Sequence, residues 1–354
     1  MGETVKNLYV HFPFCRRKCT YCALHSRAGS TEAERREYVD SLARAIEEAP
    51  ETWKREFSFS TVYFGGGTPA VCDMRPLAKA IAPLLDKNVK IEFTVELHPL
   101  DVSEDKLSEL EGMGVNRISM GVESLDDATL RHMGRGYAVA DAEKAFALVK
   151  KRFDNSGIDI IAGYPGDKLE RSSLSRLGEW GLRHFSAYSL ILEERSILKK
   201  LFDKGAVSLP SDDETMDGIS MLADFLKSIG LERYEISNYA VPGSECRHNL
   251  AVWRGEDYLG LGEGAHGRIG LARTRNWMGA GSGETETVDA EQDRKERRIF
   301  SLRTSDGLDT TGFPEWEKPL DEFASIGLLS KAEDVYRLTA RGCEVCDSIL
   351  AEIV

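Results

Sequence analysis

Apolar runs of strand length alternate with amphipathic segments of helix length from residue 7 to residue 190 of this chain. The strands that this pattern predicts are Asn7–Phe12, Ser60–Phe64, Lys90–Glu96, Arg117–Gly121, Gly157–Ile161 and Phe185–Leu190. Helical periodicity lies between them, over Glu32–Glu48, Arg75–Leu85, Ser103–Glu111, Asp126–Met133, Val139–Lys151 and Lys168–Gly178. Such alternation is typical of parallel β/α units, so we expect an α/β fold. Six units predict an open or three-quarter barrel rather than a closed eight-fold one.

The pattern changes after residue 194, where a charged connector leads to an amphipathic helix, Asp213–Ile229, and a strand, Leu231–Ser237. A highly charged stretch from Ala290 is followed by a helix, a turn, a second helix, a small hairpin around Glu333–Arg337 and a final helix. We therefore predict three parts: a core over residues 1–237, an extension of it over 238–289, and a small C-terminal α+β domain over 290–354.

Composition narrows the class of protein. The 354 residues suffice for one large domain and a small one. The net charge of −13 argues against a nucleic-acid-binding protein, because phosphate neutralisation needs a basic face. The opening MGETVKNLYV lacks a basic and apolar leader, and no stretch approaches the ~20 apolar residues that span a bilayer. We expect a cytoplasmic protein without an integral membrane segment.

Three of the seven cysteines, Cys15, Cys19 and Cys22, form a C-x3-C-x2-C cluster at the end of the first predicted strand. Thiolates are soft ligands suited to iron–sulfur clusters, and a cubane has four iron corners, so three cysteines leave one iron for an external ligand. A structural zinc site usually has four protein ligands, and no second cysteine pair follows Cys22. A zinc knuckle completed by His11 or His25, or clustered core cysteines, stay the alternative interpretations.

The C-x3-C-x2-C cluster, with Tyr21 just before its third cysteine, resembles the signature loop of the radical S-adenosylmethionine (SAM) superfamily. The preceding Tyr9–Phe14, YVHFPF, resembles the oxygen-independent coproporphyrinogen III oxidase group, and within it the HemW-type heme chaperones. The resemblance implies a partial (β/α)6 barrel with a winged-helix-like C-terminal domain. It also implies a [4Fe–4S] cluster on the three cysteines, whose open iron chelates the amino and carboxylate groups of SAM and whose electron splits SAM to a 5′-deoxyadenosyl radical. Tyr9 and Tyr21 belong to the implied cofactor site.

The second predicted strand runs directly into Gly65, Gly66, Gly67, Thr68 and Pro69. Missing side chains let the backbone approach a ligand and offer N–H groups to an anion, although an ordinary tight turn explains such a run equally well. In the resembled family the matching loop contacts the SAM amino group. The resemblance therefore implies that Gly65 to Thr68 bind the cofactor.

Charged side chains follow the next strands. The resemblance implies that Glu96 contacts SAM, and that Arg135, in HMGRGY, lies near the SAM carboxylate, where a guanidinium fork suits that group. A helix-end cation is the alternative interpretation of Arg135. Relatives carry glutamine in place of Glu123, which is therefore either a ligand or the partner of Arg135. Asp159 lies within an apolar strand, where a carboxylate is costly unless it is paired or liganded.

A later segment, from Cys246 to Gly267, resembles the HNxxYW-RG-DYLGxGxGAHG block of the HemW-type proteins, with Val252 in place of the tyrosine. Neutral imidazole is a common ligand of heme iron, so His248 is the predicted heme ligand. The alternative is a structural histidine that forms hydrogen bonds.

The resemblance implies a heme chaperone that binds heme or a porphyrin, passes heme to apo-proteins and receives electrons from a small donor protein, with a homodimer among the options. The alternative is an oxygen-independent coproporphyrinogen III oxidase or another radical SAM enzyme acting on a porphyrin, including heme degradation. Decarboxylating relatives have C-x3-C-x2-C-x-C and a longer N-terminal extension. Leu24 occupies the position of their fourth cysteine, and only eight residues precede Tyr9; both differences favour the chaperone.

Overall fold

The structure, a computed structural model, describes residues 4–167, 170–279 and 282–353. Numbered along the chain, its strands are β1 (Val5–Phe12), β2 (Phe14–Cys15), β3 (Arg27–Ala28), β4 (Phe57–Gly66), β5 (Glu92–Leu97), β6 (Arg117–Glu123), β7 (Asn155–Ala162), β8 (His184–Ser189), β9 (Glu232–Arg233), β10 (Asn238–Ala240), β11 (Tyr258–Leu261), β12 (His266–Ile269), β13 (Ala272–Arg275), β14 (Glu284–Thr287), β15 (Leu308–Asp309), β16 (Leu329–Ala332) and β17 (Val335–Leu338).

The α-helices are α1 (Glu32–Glu47), α2 (Glu51–Lys54), α3 (Arg75–Ile81), α4 (Glu104–Gly112), α5 (Asp127–Met133), α6 (Val139–Arg152), α7 (Arg171–Gly178), α8 (Ile197–Asp203), α9 (Asp212–Ser228), α10 (Arg247–Trp253), α11 (Ala290–Ile299), α12 (Pro314–Ser325), α13 (Ala340–Glu344) and α14 (Cys346–Ile353). The predicted helix Lys168–Gly178 is found from Arg171; Lys168 and Leu169 lie outside the described residues. No described helix has the length and apolarity needed to cross a membrane.

The main sheet has the strand order β14-β13-β12-β11-β1-β4-β5-β6-β7-β8-β10-β9. Its six central strands, β1 and β4 to β8, are the six predicted ones and pair in parallel. The prediction of a partial β/α barrel is thus confirmed. The later part of the chain extends the sheet at both edges, because β11 pairs in parallel with β1 and β10 pairs antiparallel with β8.

Period-two alternation gives the central strands two different faces. On β1, Leu8, Val10 and Phe12 are fully buried in the core beneath the helices, whereas Asn7 and His11 point to the opposite face. The opposite face is polar on every central strand: it carries Asn7, His11, Thr61, Glu92, Thr94, Glu96, Arg117, Ser119, Asp159, His184 and Ser186. Polar groups inside a fold need partners, so this face is where ligands and hydrogen-bond networks are expected.

Two sequence predictions differ from the structure. The predicted strand Leu231–Ser237 is instead a short hairpin of β9 and β10, because the chain turns where Asn238 N donates to Glu235 O at 3.3 Å. The predicted final helix is divided into α13 and α14, because Val345 N donates to Gly342 O in a tight turn between them.

The C-terminal segment forms a small α+β unit with a hydrophobic cluster of its own. Its three-stranded antiparallel sheet has the order β15-β17-β16 and packs with α12 and α14, the arrangement expected of a winged-helix-like domain. Helix α10 joins this unit to the main sheet. The Arg303 guanidinium lies 4.6 Å from the Trp253 ring centroid, and Arg254 pairs with Asp306 at 2.6 Å.

Candidate functional site

A cavity of about 890 Å³ opens at the carboxyl ends of the central strands. Pockets for small molecules and cofactors have volumes of roughly 300–1,000 Å³. Eleven of the sequence-predicted site residues line the cavity: Cys15, Cys19, Tyr21, Cys22, Gly66, Gly67, Thr68, Glu96, Glu123, Arg135 and Asp159. Tyr9, Gly65 and His248 do not line it. The structure therefore brings together residues that are up to 144 positions apart in the chain, from Cys15 to Asp159.

The cysteine loop, residues 15–26, is held at several points. Its two ends are joined because β2 pairs in parallel with β3. Lys18 Nζ donates to Ser26 Oγ at 2.7 Å and to Leu24 O at 2.8 Å, which closes the loop on itself. Thr20 O accepts the N–H of Leu198 at 2.8 Å, which ties the loop to α8. The sulfur atoms are therefore presented to the cavity by an ordered loop.

The three thiols fit a [4Fe–4S] cluster. All three are free and half-buried, and burial raises the pKa of Cys15 and Cys22. A Cβ on Gly67 would lie 3.0 Å from Cys15 Sγ and 2.5 Å from Phe14 O, so the neighbouring backbone needs a glycine there. Among the described residues, no three His, Cys, Asp or Glu side chains converge on a single metal ion. A cubane places its irons at separate corners, so that each thiolate binds an iron of its own.

The N–H groups of the GGGTP turn already have partners within the protein. Gly66 N donates to Glu96 Oε2 at 3.1 Å, Gly67 N to Phe12 O at 2.8 Å, and Thr68 N to Phe14 O at 2.7 Å. The expectation that these N–H groups are offered to an anion is wrong, because they bind the turn to β1, β2 and the Glu96 carboxylate of β5. What the turn can offer a ligand is its carbonyl oxygens.

The glycines of this turn also permit close packing. Gly66 has a φ of 106°, and a Cβ there would lie 2.6 Å from His11 Cε1. A Cβ on Gly65 would lie 2.9 Å from Glu96 Oε1, so Gly65 supports the cavity from behind although it does not line it.

Two carboxylates lie side by side on the cavity wall. Glu96 accepts hydrogen bonds from Tyr63 OH at 2.8 Å and from Gly66 N, and burial followed by the charge of Asp159 raises its pKa to about 7. Asp159 accepts from Ser119 Oγ at 3.0 Å to each oxygen, and burial raises its pKa as well. Both groups are thus short of positive partners.

Arg135 is the buried cation of the cavity. Its Nη1 lies 3.4 Å from Cys19 Sγ, and its Nε donates to Tyr137 OH at 3.0 Å. Its Nη2 donates to Gly121 O at 2.5 Å and lies 3.6 Å from Glu123 Oε1. The ion pair of Glu123 and Arg135, the alternative to a direct ligand role for Glu123, is therefore present.

Glu123 combines an unusual backbone with a buried charge. Its φ of 74° is in the left-handed region, which is rare for a residue with a side chain and is found at functional sites. Burial raises the pKa of its carboxyl despite Arg135. Together with Glu96 and Asp159, it gives the cavity interior three carboxylates around one guanidinium, which suits a ligand with positive charge.

Several site residues escaped the sequence analysis. Tyr63 and Ser119 precede Gly65 and Gly121 by two residues on their strands. Because side chains two residues apart on a strand point to the same face, this spacing could have predicted that both lie at the site. Tyr137 lies two residues after Arg135 in the same HMGRGY segment. His11, considered only as a zinc ligand, instead contacts His25 O through Nε2 at 2.7 Å and holds the cysteine loop from below.

The second glycine-rich segment, around Glu263, packs behind the cysteine loop. Tyr38 OH donates to His11 O at 2.7 Å and accepts from Glu263 N at 3.0 Å. The Glu263 carboxylate pairs with Arg27 at 2.6 Å, at the end of the loop. The GEGAHG segment therefore supports the predicted cluster site and does not line the cavity.

His248 lies toward the amino ends of the strands, behind Tyr63, which lines the cavity. It is 4% exposed, its Nδ1 lies 2.9 Å from Thr61 Oγ1, and its ring centroid lies 5.3 Å from that of Tyr63. Burial, followed by the charge of Arg117, lowers its pKa to about 3. Tyr9 lies in the same region, with its ring centroid 6.4 Å from that of His248. This environment is the one expected of a structural histidine that forms hydrogen bonds, which is the alternative interpretation. Heme ligation by His248 stays a prediction.

Known proteins identify the family. A model of the radical SAM superfamily matches residues 9–174. The chain is 36% identical to the heme chaperone HemW of Lactococcus lactis over 78% of this chain and 73% of that one. It is 30% identical to HemW of Bacillus subtilis over 96% of both chains, and 30% identical to HemW of Escherichia coli over 97% of both. The chain belongs to the HemW branch of the radical SAM superfamily.

The fold of this HemW-family chain also matches a solved structure. Coproporphyrinogen III oxidase (HemN) from Escherichia coli, a radical SAM enzyme, superposes with a TM-score of 0.82 at 22% identity, over 99% of this chain and 90% of that one. At this identity the likeness concerns the fold. The radical SAM domain implies a [4Fe–4S] cluster and SAM, and the cavity described above has the thiols and the charges that fit them.

Proposed function

We propose that this HemW-family chain is a heme chaperone: it binds heme and passes it to apo-proteins, while a [4Fe–4S] cluster and SAM occupy the cavity and a small donor protein supplies electrons. The observation that carries the proposal is Leu24, which lines the cavity and is 56% exposed where decarboxylating relatives have a further cysteine. A leucine offers no thiolate. The similarity to HemW chaperones over nearly the whole chain supports the same choice.

Within this proposal each group of the cavity has a task. Cys15, Cys19 and Cys22 bind three irons, and the fourth is left to the amino and carboxylate groups of SAM. Arg135, fixed by Tyr137 and Gly121 O, orients the SAM carboxylate. The cluster, when bound, supplies an electron at low potential.

The remaining groups bind other parts of SAM. Carbonyl oxygens of the GGGTP turn accept hydrogen bonds from the N–H groups of its amino group. Glu96 and Asp159, already held by Tyr63 and Ser119, offer negative charge to the cationic cofactor or accept from its hydroxyl groups.

Two measurements test the proposal. Titration of the cluster-loaded protein with hemin, followed in the Soret band, should saturate at about one per chain, since a single site is expected. Reduced protein incubated with SAM and coproporphyrinogen III should yield no protoporphyrinogen IX. Formation of that product would overturn the chaperone proposal and favour the oxidase.

Delivery needs a separate assay. Heme-loaded protein is mixed with increasing concentrations of an apo-form of a heme enzyme from the same organism. We expect the transfer rate to rise with the acceptor concentration, because handover takes place in a complex. A rate independent of the acceptor would mean release to solvent and would contradict the delivery role.

A further inference from the structure

Exposed apolar side chains collect at the mouth of the cavity. Leu24, Leu100 and Ile191 line it and are 56%, 51% and 70% exposed. They come from three separate segments: the cysteine loop, the turn after β5 and the segment that begins at the end of β8. Single exposed apolar residues are ordinary, but a group that rims a cavity marks a binding site. We call these three residues the apolar lip.

Guanidinium groups lie on the same mouth. Arg17 and Arg195 are exposed and line the cavity beside the lip, together with the carboxylate of Glu193. Arg16 also lines it but pairs with Asp101 at 2.5 Å. Guanidinium forks recognise carboxylates with two parallel hydrogen bonds. An apolar lip flanked by such forks has the chemistry to hold a flat apolar ligand that carries carboxylates.

The two ends of the barrel differ in what they can admit. The deep part of the cavity has the thiols and buried charges that the cluster and SAM require, whereas the lip is apolar and open. His248, by contrast, is sealed: it is 4% exposed, its backbone N–H donates to Glu92 Oε1 at 2.9 Å, and its Nδ1 contacts Thr61. A macrocycle cannot reach its imidazole without displacement of α10 or of Tyr63, whose ring separates it from the cavity.

We propose that heme docks across the apolar lip, with its macrocycle on Leu24, Leu100 and Ile191 and its propionates on Arg17 and Arg195, and not at His248. This inference rests on the proposed function, which supplies heme as the ligand. Because the lip surrounds the mouth, heme bound there covers the cavity in which SAM lies. Heme therefore slows the exchange of SAM between the cavity and the solvent.

The test uses the full chain with its cluster reconstituted under anaerobic conditions. Ile191→Glu places a negative charge on the lip and should weaken hemin binding at least tenfold, whereas the matched Ile326→Glu, at a 60% exposed position of the C-terminal unit, should leave it unchanged. Arg195→Glu should weaken binding similarly, and Arg337→Glu, an exposed cation of β17, should not. Cluster absorbance and circular dichroism verify that each variant is folded.

Two further readouts separate the lip from His248. Metal-free protoporphyrin IX should bind within about threefold of hemin, because macrocycle contacts and carboxylates carry the affinity at the lip rather than a bond to iron. Hemin should also slow the exchange of labelled SAM in the wild type and in Ile326→Glu, but not in Ile191→Glu.

The outcomes are distinguishable. A wild-type protein that does not bind hemin at all overturns the proposed function. A wild type that binds hemin while Ile191→Glu and Arg195→Glu bind equally well overturns the lip and leaves the proposed function standing. A third outcome is that a folded His248→Gln variant no longer binds hemin while the lip variants bind it as the wild type does. That outcome would overturn the lip and place the heme site at His248.

Discussion

Glu92 and Glu96 project from the same face of β5, four residues apart, and they meet opposite surroundings. Glu92, at the amino end, is 4% exposed and accepts the backbone N–H groups of Arg247 and His248, both at 2.9 Å. Glu96, at the carboxyl end, faces the cavity with a pKa raised to about 7 by burial and by Asp159. At one end of the barrel a helix covers the carboxylate and satisfies it, and at the other the carboxylate is left to a ligand.

The two ends therefore separate stability from binding. Four polar groups at the amino end, Glu92, Thr61, Asn7 and His248, use one another as partners. At the carboxyl end, carboxylates share a cavity with three thiols and one buried guanidinium. Substitutions at the closed end should lower the free energy of unfolding, and substitutions at the open end should weaken cofactor binding.

The largest effect is expected at the thiols. Cys19→Ala should reduce the iron bound after anaerobic reconstitution from about four per chain to nearly none, because a cubane with two protein ligands is poorly held. Iron analysis and absorbance near the cluster band measure this. The melting temperature of the protein without a cluster should stay the same. Cys343→Ala, at a half-buried cysteine of the C-terminal unit, is the matched control and should retain full iron; undiminished iron in Cys19→Ala would contradict the cluster site.

The next effect concerns the closed end. Glu92→Gln should lower the free energy of unfolding by roughly 3 kcal/mol, because the carboxylate that caps α10 and lies near buried Arg117 is lost. Glu96→Gln should leave stability unchanged or raise it above pH 7, where it removes an ionised carboxylate from a site without enough positive charge. Urea denaturation of both variants measures the difference. Equal losses in the two variants would show that the ends are not distinct.

A fall in pH should destabilise the folded protein through the buried histidines of the closed end. Burial lowers the pKa of His248 to about 3 and that of His184 well below its ordinary value. The unfolded chain takes up these protons near pH 6.5 and the folded chain does not, so stability is full above pH 6.5 and is lost as the pH falls. From pH 7 to pH 5 the loss should be roughly 2 kcal/mol per histidine. A His248→Gln variant should lose less over the same range, by urea denaturation at each pH; an identical loss would contradict the assignment.

The smallest effect is a pH dependence of SAM binding at the open end. Around Glu96, burial, Asp159 and Glu123 raise the pKa, and hydrogen bonds from Tyr63 and Gly66 lower it. The carboxyl is therefore mostly protonated at pH 6 and mostly ionised at pH 8. SAM carries net positive charge, so its affinity should rise by up to about tenfold over that range. Equilibrium dialysis should show a flatter profile for Glu96→Gln, and an unchanged slope would contradict this role.

Much of the open end could be predicted from the sequence, because the carboxyl ends of parallel strands meet at one edge whatever the loops do. That rule predicted from the sequence that Cys15, Glu96 and Asp159 lie at the same edge. The closed end could not be foreseen: nothing local shows that α10 crosses to the amino ends of strands formed by residues far earlier in the chain. The lip could not be predicted either, because nothing in the sequence around Leu100 and Ile191 distinguishes them from other loop residues.

The parallel pairing of β1 with β11 has a consequence for how the molecule is made. Asn7 pairs with Tyr258, so one side of the first strand has no partner until about 250 further residues have left the ribosome. At translation rates of about 5–20 residues per second, that interval is roughly ten to fifty seconds. The cysteine loop emerges first, yet its support at Glu263 arrives only with the late strands. We therefore expect the cluster to be inserted after the sheet has been synthesised. A nascent chain that stalls before residue 263 carries exposed thiols without the residues that position them.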